Sequence, residues 1–414
     1  MKATLFLTMS CNLCCDYCYV RKHDATMSPA DIQRAIDFIF AAADPDERLD
    51  FGLFGGEPLL HMSLVENTVD FLEKRSEQSG NTVRMSLVTN GTLLNDEILR
   101  FVRDRHLILQ VSCDGHPLVQ DRHRRFTDGR GTSAVLETAL RSAVETLPAV
   151  LVNMVYSPDT YQALPGSIEY LAGLGLRQII LNPDYSAIWS LEDIAGLKET
   201  YNHIAGLYLD YYTGRRPLFI SLIDEKIAII LRGGYGRSER CRMGYREFAF
   251  SPQGNIFPCE RLVGDGEKNR HCIGHLDRPD QLDRRHCGLP GATAKQVQCR
   301  TCGVSDYCMH WCGCSNFLAT GDYHLPSPFI CASERLAIEA AFSVLRQVNT
   351  DNQLIFINHY AGLPMVNSSV HIPQEVDPKR IFLLSKHNYV SARYSLRIPI
   401  QTHLREVPHV KPEQ

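Results

Sequence analysis

The sequence predicts an α/β protein: a partial, TIM-like (β/α)6 barrel over residues 1–215, followed by a cysteine-rich domain of a different grammar. Three observations carry that expectation. Strand-like apolar runs alternate with amphipathic helical stretches through the first half, and such alternation implies a parallel sheet. The motifs with chemical character fall just after these runs, at the end of a parallel barrel where ligands gather. From residue 241 the periodic pattern stops, and ten of the fifteen cysteines lie from there on.

Strands are expected at Lys2 to Met9, Leu49 to Phe54, Val83 to Asn90, Leu107 to Cys113, Ala149 to Tyr156 and Gln178 to Asn182. Between them lie helices such as Pro29 to Ala43, opened by Ser28 as N-cap with Asp31 three residues on, and Met62 to Gln78. Six units are too few for a closed eight-stranded barrel, so a partial barrel is the expected closure. Residues 216–240 are expected as a linker, 241–335 as the second domain and 336–414 as a C-terminal extension. Ala332 to Arg346 reads as one helix. The tail beyond it, with Pro364, Pro373, Pro378, Pro399 and Pro408, is either a strand-rich add-on that grips a substrate or a partly disordered extension.

Composition narrows the class. A chain of 414 residues, 44% hydrophobic and 22% charged, can bury one large core and a smaller satellite, so two or three domains are expected. The formal net charge of −4 gives no general pull toward nucleic acid. No apolar run approaches the roughly 18 residues of a membrane span. No secretory pattern precedes the first strand, which places the protein in the cytoplasm by expectation. Clumped cysteines without an export signal then point to metal ligation rather than disulfides.

The first strand feeds the run Cys11-Asn12-Leu13-Cys14-Cys15-Asp16-Tyr17-Cys18. Its spacing, C-x3-C-x2-C, sets three thiols on one tight loop; a cubane held by three thiolates keeps one iron open to a chelating small molecule. Zinc is the competing reading, since Cys11, Cys14, Cys15 and Cys18 also parse as C-x2-C-C-x2-C. Four ligands within eight residues strain a tetrahedral site. In the iron reading Cys14 is loop filler and Cys113 a small buried hydrophobe.

After the second strand, Phe54-Gly55-Gly56-Glu57-Pro58 joins two glycines that allow close backbone approach to a carboxylate able to accept from an ammonium group. The same residues also read as an ordinary strand-to-helix turn. Thr89-Asn90-Gly91, after the third strand, is either a ligand contact or a turn. After the fourth, Ser112-Cys113-Asp114-Gly115 leads to Asp121 and to Arg124, whose guanidinium suits a bidentate clamp on carboxylate. Arg122, His123 and Arg125 around it read as a solvated basic surface.

These segments together resemble the radical S-adenosylmethionine (SAM) superfamily, down to the aromatic Tyr17 before the third cysteine. The resemblance implies that Cys11, Cys15 and Cys18 hold a [4Fe–4S] cluster whose open iron takes the amino and carboxylate groups of SAM. It also implies SAM contacts at Gly55, Gly56 and Glu57, at Asn90, and at Ser112 and Arg124 for ribose and carboxylate. Gln120 departs from the histidine often found at its place.

In the second half, Cys241-x12-Gly254-x4-Cys259 spans a hairpin-like stretch turning at Pro252 to Asn255, and Cys299-x2-Cys302-x5-Cys308-x3-Cys312 is followed by Cys331. This layout resembles the SPASM domain and implies two auxiliary [4Fe–4S] clusters, three clusters in all. By that resemblance Cys241, Cys259 and Cys312 hold the first, and Cys299, Cys302, Cys308 and Cys331 the second. The first set lacks a fourth ligand, because Tyr235, Gly236 and Ser238 stand where some relatives supply a cysteine. Cys272, Cys287 or Cys314 fills the gap, or that iron is open to a substrate thiolate. A zinc ribbon over Cys299, Cys302, Cys308 and Cys312 is the alternative. Glu260 sits where sulfatase-maturating relatives place an aspartate base; it reads as an acid/base or as one half of a salt bridge to Arg261 or another nearby cation.

The resemblance implies one-electron cleavage of SAM to a 5′-deoxyadenosyl radical that abstracts a substrate hydrogen atom, the auxiliary clusters accepting the electron left behind. The expected outcome is oxidative C–S or C–C crosslinking of a ribosomally synthesised precursor peptide. Expected partners are that peptide or protein, a separate leader-binding protein, since no such domain precedes the first strand, and an electron donor such as flavodoxin or ferredoxin. Nucleic acid and membrane are not expected. The enzyme alternative is an anaerobic sulfatase-maturating enzyme forming formylglycine. The non-enzyme alternative is a multi-cluster electron-transfer or zinc-binding module, which leaves Gly55 to Glu57, Ser112 and Arg124 without a job.

Overall fold

Each of the six apolar runs forms a strand: β1 (Lys2–Thr8), β2 (Leu49–Gly55), β3 (Val83–Thr89), β4 (Ile108–Ser112), β5 (Leu151–Tyr156) and β6 (Gln178–Pro183). The computed structural model describes residues 1–236, 240–263, 270–285, 287 and 297–347. The six strands pair in parallel and in chain order, with Leu5 beside Leu53 and Leu53 beside Leu87. Between them run α1 (Pro29–Ala42), α2 (Met62–Ser79), α3 (Asp96–Asp104), α4 (Pro117–His123), α5 (Ser133–Thr146) and α6 (Leu164–Gly173). This is the expected partial barrel.

Local chemistry explains the elements. Ser28 caps α1, its Oγ accepting from the Asp31 N–H at 3.1 Å, and Asn95 caps α3 in the same way through Ile98. The buried face of α1, Ile32, Ala35, Ile36, Ile39 and Phe40, follows the helical repeat. Phe40 stacks on Phe51 of β2. Ala3, Leu5 and Leu7 of β1 are fully buried. On the opposite pleat Thr4 and Ser86 flank Gly52, and Phe6 meets Phe54 ring to ring nearer the strand ends.

The described residues form two compact units that interleave along the chain. The first takes 1–188, 241–263, 270–285, 287 and 312–325; the second takes 189–236, 240, 297–311 and 326–347. The stretch expected as a linker, 216–240, instead holds β7 (Phe219–Ile220) and α8 (Ser221–Arg232), and belongs to the second unit with α7 (Leu191–Thr213). Ile223, Ile227 and Ile230 recur at helical spacing and are fully buried, so this segment is core.

The hairpin expected around Pro252 to Asn255 is present as β8 (Glu247–Phe250) and β9 (Asn255–Phe257), with Gly254 at φ +78° in the turn. It does not stand apart. β8 lies parallel to β1, Lys2 beside Glu247 and Leu5 beside Phe250, and β9 pairs in turn with β10 (Gly274–His275). Phe38 of α1 meets the rings of both Phe248 and Phe250, so one helix covers the added strand. The first unit therefore orders its strands β10-β9-β8-β1-β2-β3-β4-β5-β6.

In the second unit, α9 (Val297–Arg300) carries Cys299, the first of the last cysteine group, and α11 (Pro328–Gln347) packs on α7 and α8. The expected boundary at 336 falls inside α11, and residues 348–414 of the expected extension lie outside the described residues. Lys226 of α8 is buried and pairs with Glu334 of α11 at 2.7 Å. Among the described residues no helix is long and apolar enough to cross a membrane.

Candidate active site

The loop leaving β1 carries Cys11, Cys15 and Cys18 at the C-terminal ends of the strands, and backbone hydrogen bonds tie it down along its length. Met9 N donates to Ala25 O and Met27 N to Leu7 O, each at 2.8 Å, closing the loop's neck. Cys14 N donates to Arg125 O at 2.8 Å and Asp16 N to His123 O at 3.2 Å, stapling the loop to the segment after α4. Lys22 Nζ holds Leu13 O at 2.7 Å. Cys14 donates its thiol to Phe126 O at 3.3 Å, which occupies the thiol read as loop filler. Cys113 is 2% exposed.

All fifteen cysteines are free thiols. Burial pushes the Cys11 thiol up to about 11, against the Leu13 N–H and Lys22, and burial also raises Cys15, against Arg124. Thiols held this way become thiolates when a metal ligates them. Among the described residues no three His, Cys, Asp or Glu side chains converge on a single-ion site; a cubane spreads its thiolates over separate irons. Three half-buried to exposed thiols on one tethered loop fit that group.

The two glycines of the second motif serve this loop. Gly56 N donates to Thr8 O at 2.7 Å and Glu57 N to Ser10 O at 2.8 Å. A methyl at Gly55 would lie 2.4 Å from Thr8 O, and at Gly56 2.1 Å from Ser10 O. Glu57 itself is fully buried. Its Oε1 accepts from Thr89 Oγ1 at 2.7 Å and Leu59 N at 3.1 Å, and its Oε2 from Asn90 N at 2.7 Å. The carboxylate expected to meet a ligand ammonium thus holds the end of β3. Asn90 Nδ2 donates to Asn12 Oδ1 at 2.8 Å and approaches Cys11 Sγ at 3.9 Å, so Asn90 orients the cysteine loop.

Burial pushes the Glu57 carboxyl up from 4.5 to about 7, against the pull of Asn90, Thr89 and Leu59. The folded chain binds this proton more tightly than the unfolded one, so the group's stabilisation is full below the unfolded value and is lost as pH rises through about 7. Glu57→Gln is expected to flatten that dependence. It also turns an amide N–H toward a buried donor, a cost of about 1–3 kcal/mol. Thermal midpoints of both proteins across this range test the assignment; an unaltered pH profile in the variant would refute it.

At the end of β4, Asp114 is 1% exposed and gathers several partners. Its Oδ1 accepts from Val155 N at 2.9 Å, its Oδ2 from the Tyr17 hydroxyl, and Arg124 Nε lies 3.0 Å away. The Arg124 guanidinium also sits over the Tyr17 ring, 5.2 Å from its centre. Gln120, where the resemblance favours histidine, accepts from Asp114 N at 2.8 Å and donates to Thr132 at 2.9 Å. Arg124 therefore turns its Nε edge to Asp114, and its terminal nitrogens have no acceptor among the described residues. Ser112 is half-buried on the same strand end. The basic surface expected nearby is in part an ion-pair network, Arg122 and His123 both meeting Asp159, and His123 also meeting Asp16.

Cys241, Cys259, Cys312 and Cys314 come together in the first unit, packed with Met243, Leu262, Phe317 and Tyr323. Cys299, Cys302, Cys308 and Cys331 all belong to the second unit. There burial raises Cys299 and the neighbouring charges of Cys331 and Cys302 add to it. Glu334 Oε2, paired with Lys226, accepts from Met309 N beside Cys308.

Glu260 does not pair with Arg261. It accepts from Lys2 Nζ at 3.1 Å and Thr4 Oγ1 at 3.0 Å, and Thr4 lies about 13 Å short of the end of β1 at strand rise. Burial pushes its carboxyl up, but Lys2 and Arg261 outweigh it and hold the group below its ordinary value, which makes it a weak base. Glu260→Gln is expected to cost about 1 kcal/mol or less, since both partners are a quarter exposed, and to leave product formation intact. Loss of product with 5′-deoxyadenosine still formed would give Glu260 the acid/base role instead.

Sequence reasoning missed the Asp114–Tyr17 hydrogen bond, Asn12 and Lys22, and it missed where Arg261 points. Arg261 donates to Asn182 Oδ1 at 3.1 Å and lies over the Tyr185 ring, beyond β6. Its place two residues after Cys259 was the one available signal.

Residues 5–171 match the profile described as the Radical SAM superfamily. In sequence the chain is similar to the serine-type anaerobic sulfatase-maturating enzyme of Klebsiella aerogenes, 27% identical over 325 residues covering 73% of this chain and 77% of the relative. It is also similar to the cysteine-type enzyme of Clostridium novyi, 20% identical, covering 73% and 85%. Among solved structures the fold matches anSMEcpe with bound AdoMet at TM-score 0.71 and 17% identity, covering 84% of this chain and 98% of that one. Streptococcus suis SuiB bound to the precursor peptide SuiA matches at TM-score 0.55 and 14% identity, covering 80% and 75%. The matched segment, residues 5–171, spans the strand ends that bear the three-thiol loop, and a Radical SAM domain there, in a chain similar to anaerobic sulfatase-maturating enzymes, implies SAM and a [4Fe–4S] cluster as its cofactors.

Proposed function

We propose that the protein is a radical SAM/SPASM maturase that oxidatively crosslinks, through a C–S or C–C bond, a ribosomally synthesised precursor peptide. The observation that carries this reading is the coexistence of two kinds of cysteine group. One is a three-thiol loop at the strand ends; the other comprises two sets drawn from residue 241 onward, one in each unit. When bound, SAM and a reduced cluster on Cys11, Cys15 and Cys18 supply a 5′-deoxyadenosyl radical able to take a hydrogen atom from the peptide. The chain's own residues bind and orient. Asn90 and the Gly55–Gly56 backbone fix the cysteine loop, the free edge of Arg124 suits the SAM carboxylate, and Ser112 suits the ribose. Glu57 acts as a positioning residue for Asn90. Cys241, Cys259 and Cys312, with Cys299, Cys302, Cys308 and Cys331, are read as ligands of two electron-accepting clusters, giving three in all. A flavodoxin or ferredoxin as donor and a separate leader-binding protein complete the expected partners.

The sulfatase-maturating relatives favour a second reading, formation of formylglycine from a cysteine or serine of a sulfatase. One experiment separates the two. Anaerobically reduced enzyme is incubated with SAM and either a candidate precursor peptide or a sulfatase-derived peptide, and 5′-deoxyadenosine and peptide masses are followed. A product lacking two hydrogens that resists aldehyde reagents supports crosslinking, and an aldehyde-reactive product supports formylglycine. Absence of 5′-deoxyadenosine under all conditions would overturn both.

A further inference from the structure

The sequence leaves the first auxiliary set with three cysteines and three candidates for a fourth. Cys272 donates its thiol to Gly274 O at 3.0 Å and packs against the cluster of Phe6, Met9 and Val20. Cys287 lies against Gly244, where a methyl would come within 2.5 Å of its sulfur, and its charged neighbours are Arg284 and Asp283. Neither joins the cysteine group. Cys314 does. It is 3% exposed, its sulfur stands 3.6 Å from that of Cys312, and it shares one buried cluster with Cys241, Cys259 and Cys312. Cys312 is the N-cap of α10 (Gly313–Thr320), and Cys314 sits in its first turn. A methyl on Gly313 between them would lie 2.6 Å from Met243 Cε, so this turn packs directly on the Met243 side chain. Met243 belongs to the same cluster as Cys241, Cys312 and Cys314. Upstream, where relatives supply the ligand, Tyr235 is buried against Trp311.

We propose that Cys314 is the fourth thiolate of the first auxiliary cluster, completing a Cys241, Cys259, Cys312 and Cys314 set. This rests on the three-cluster reading above. It has a mechanistic consequence: with every iron capped by a protein thiolate, this cluster has no coordination site for a substrate thiolate, and serves as an electron acceptor.

The test uses the full chain, anaerobically reconstituted, with iron and sulfide quantification, Mössbauer and EPR spectra, and no activity readout. Cys314→Ala is expected to lose between about one and about four irons, with a three-iron signal after oxidation if the remaining thiolates retain a partial cluster. Cys314→Ser, which preserves size and folding, is expected to keep the irons but shift one Mössbauer doublet toward oxygen ligation. Cys272→Ala is expected to match the wild type. Wild-type iron and spectra in both Cys314 variants, while Cys259→Ala loses about four irons, would overturn the assignment and leave the cluster itself standing. An unchanged iron count in Cys259→Ala would instead overturn the underlying three-cluster reading.

Discussion

Protein in which Cys11, Cys15 and Cys18 are all replaced by alanine is expected to form no 5′-deoxyadenosine and to hold about eight irons where the wild type holds about twelve. The effect is all-or-none because these thiols have no substitutes nearby. Cys14, on the same loop, is engaged with Phe126 O, and Cys113 is buried, its sulfur turned to the Gly115 backbone. The loop's fold does not depend on the three side chains, since its fixed points are backbone bonds from Met9, Cys14, Asp16 and Met27. The remaining irons should therefore be unaffected. Anaerobic iron and sulfide analysis with chromatographic detection of 5′-deoxyadenosine checks both halves. Retention of all irons, or zinc in their place, would remove the radical mechanism.

Gly56→Ala is expected to empty the same site without touching a ligand. The added methyl would meet Ser10 O at 2.1 Å and Ser10 C at 2.6 Å. These are backbone atoms of the residue before Cys11, and they cannot swing aside as a side-chain terminus can. Relief requires β1 and β2 to part where Gly56 N and Glu57 N bond Thr8 O and Ser10 O. Overpacking of this kind costs about 1–3 kcal/mol or more, and the strain falls on the loop that must hold the cluster. The expected result is loss of about four irons with a lowered thermal midpoint. Gly166→Ala in α6 is the control, because nothing lies within 4 Å of its added methyl and alanine favours helix. Wild-type iron content in Gly56→Ala would show that the close approach is not needed.

Much of this architecture was legible from local pattern. Six strands and their order follow from alternating apolar runs separated by amphipathic helices, and all six begin and end within two residues of where periodicity sets them. Misreadings occurred where a segment's partner lies far along the chain. The stretch 216–240 is expected as a linker, yet its Ile223, Ile227 and Ile230 are fully buried in α8, which packs on α11. Nothing near Phe248 announces that its strand will lie beside β1.

Which donors share a loop can be read from spacing alone: C-x3-C-x2-C places three thiols at one strand end, and Cys299, Cys302 and Cys308 lie close together in the chain, although the next cysteine, Cys312, joins a different group. Such information is local, because short spacings limit how far apart side chains can be. The tertiary structure decided which distant groups meet. It brought Glu260 to Lys2 across 258 residues, committed Glu57 to the end of β3, and chose Cys314 over Cys272 and Cys287 as the neighbour of Cys259 and Cys312. These meetings depend on strand pairing and core packing between segments far apart in the chain, and no spacing within either segment encodes its partner.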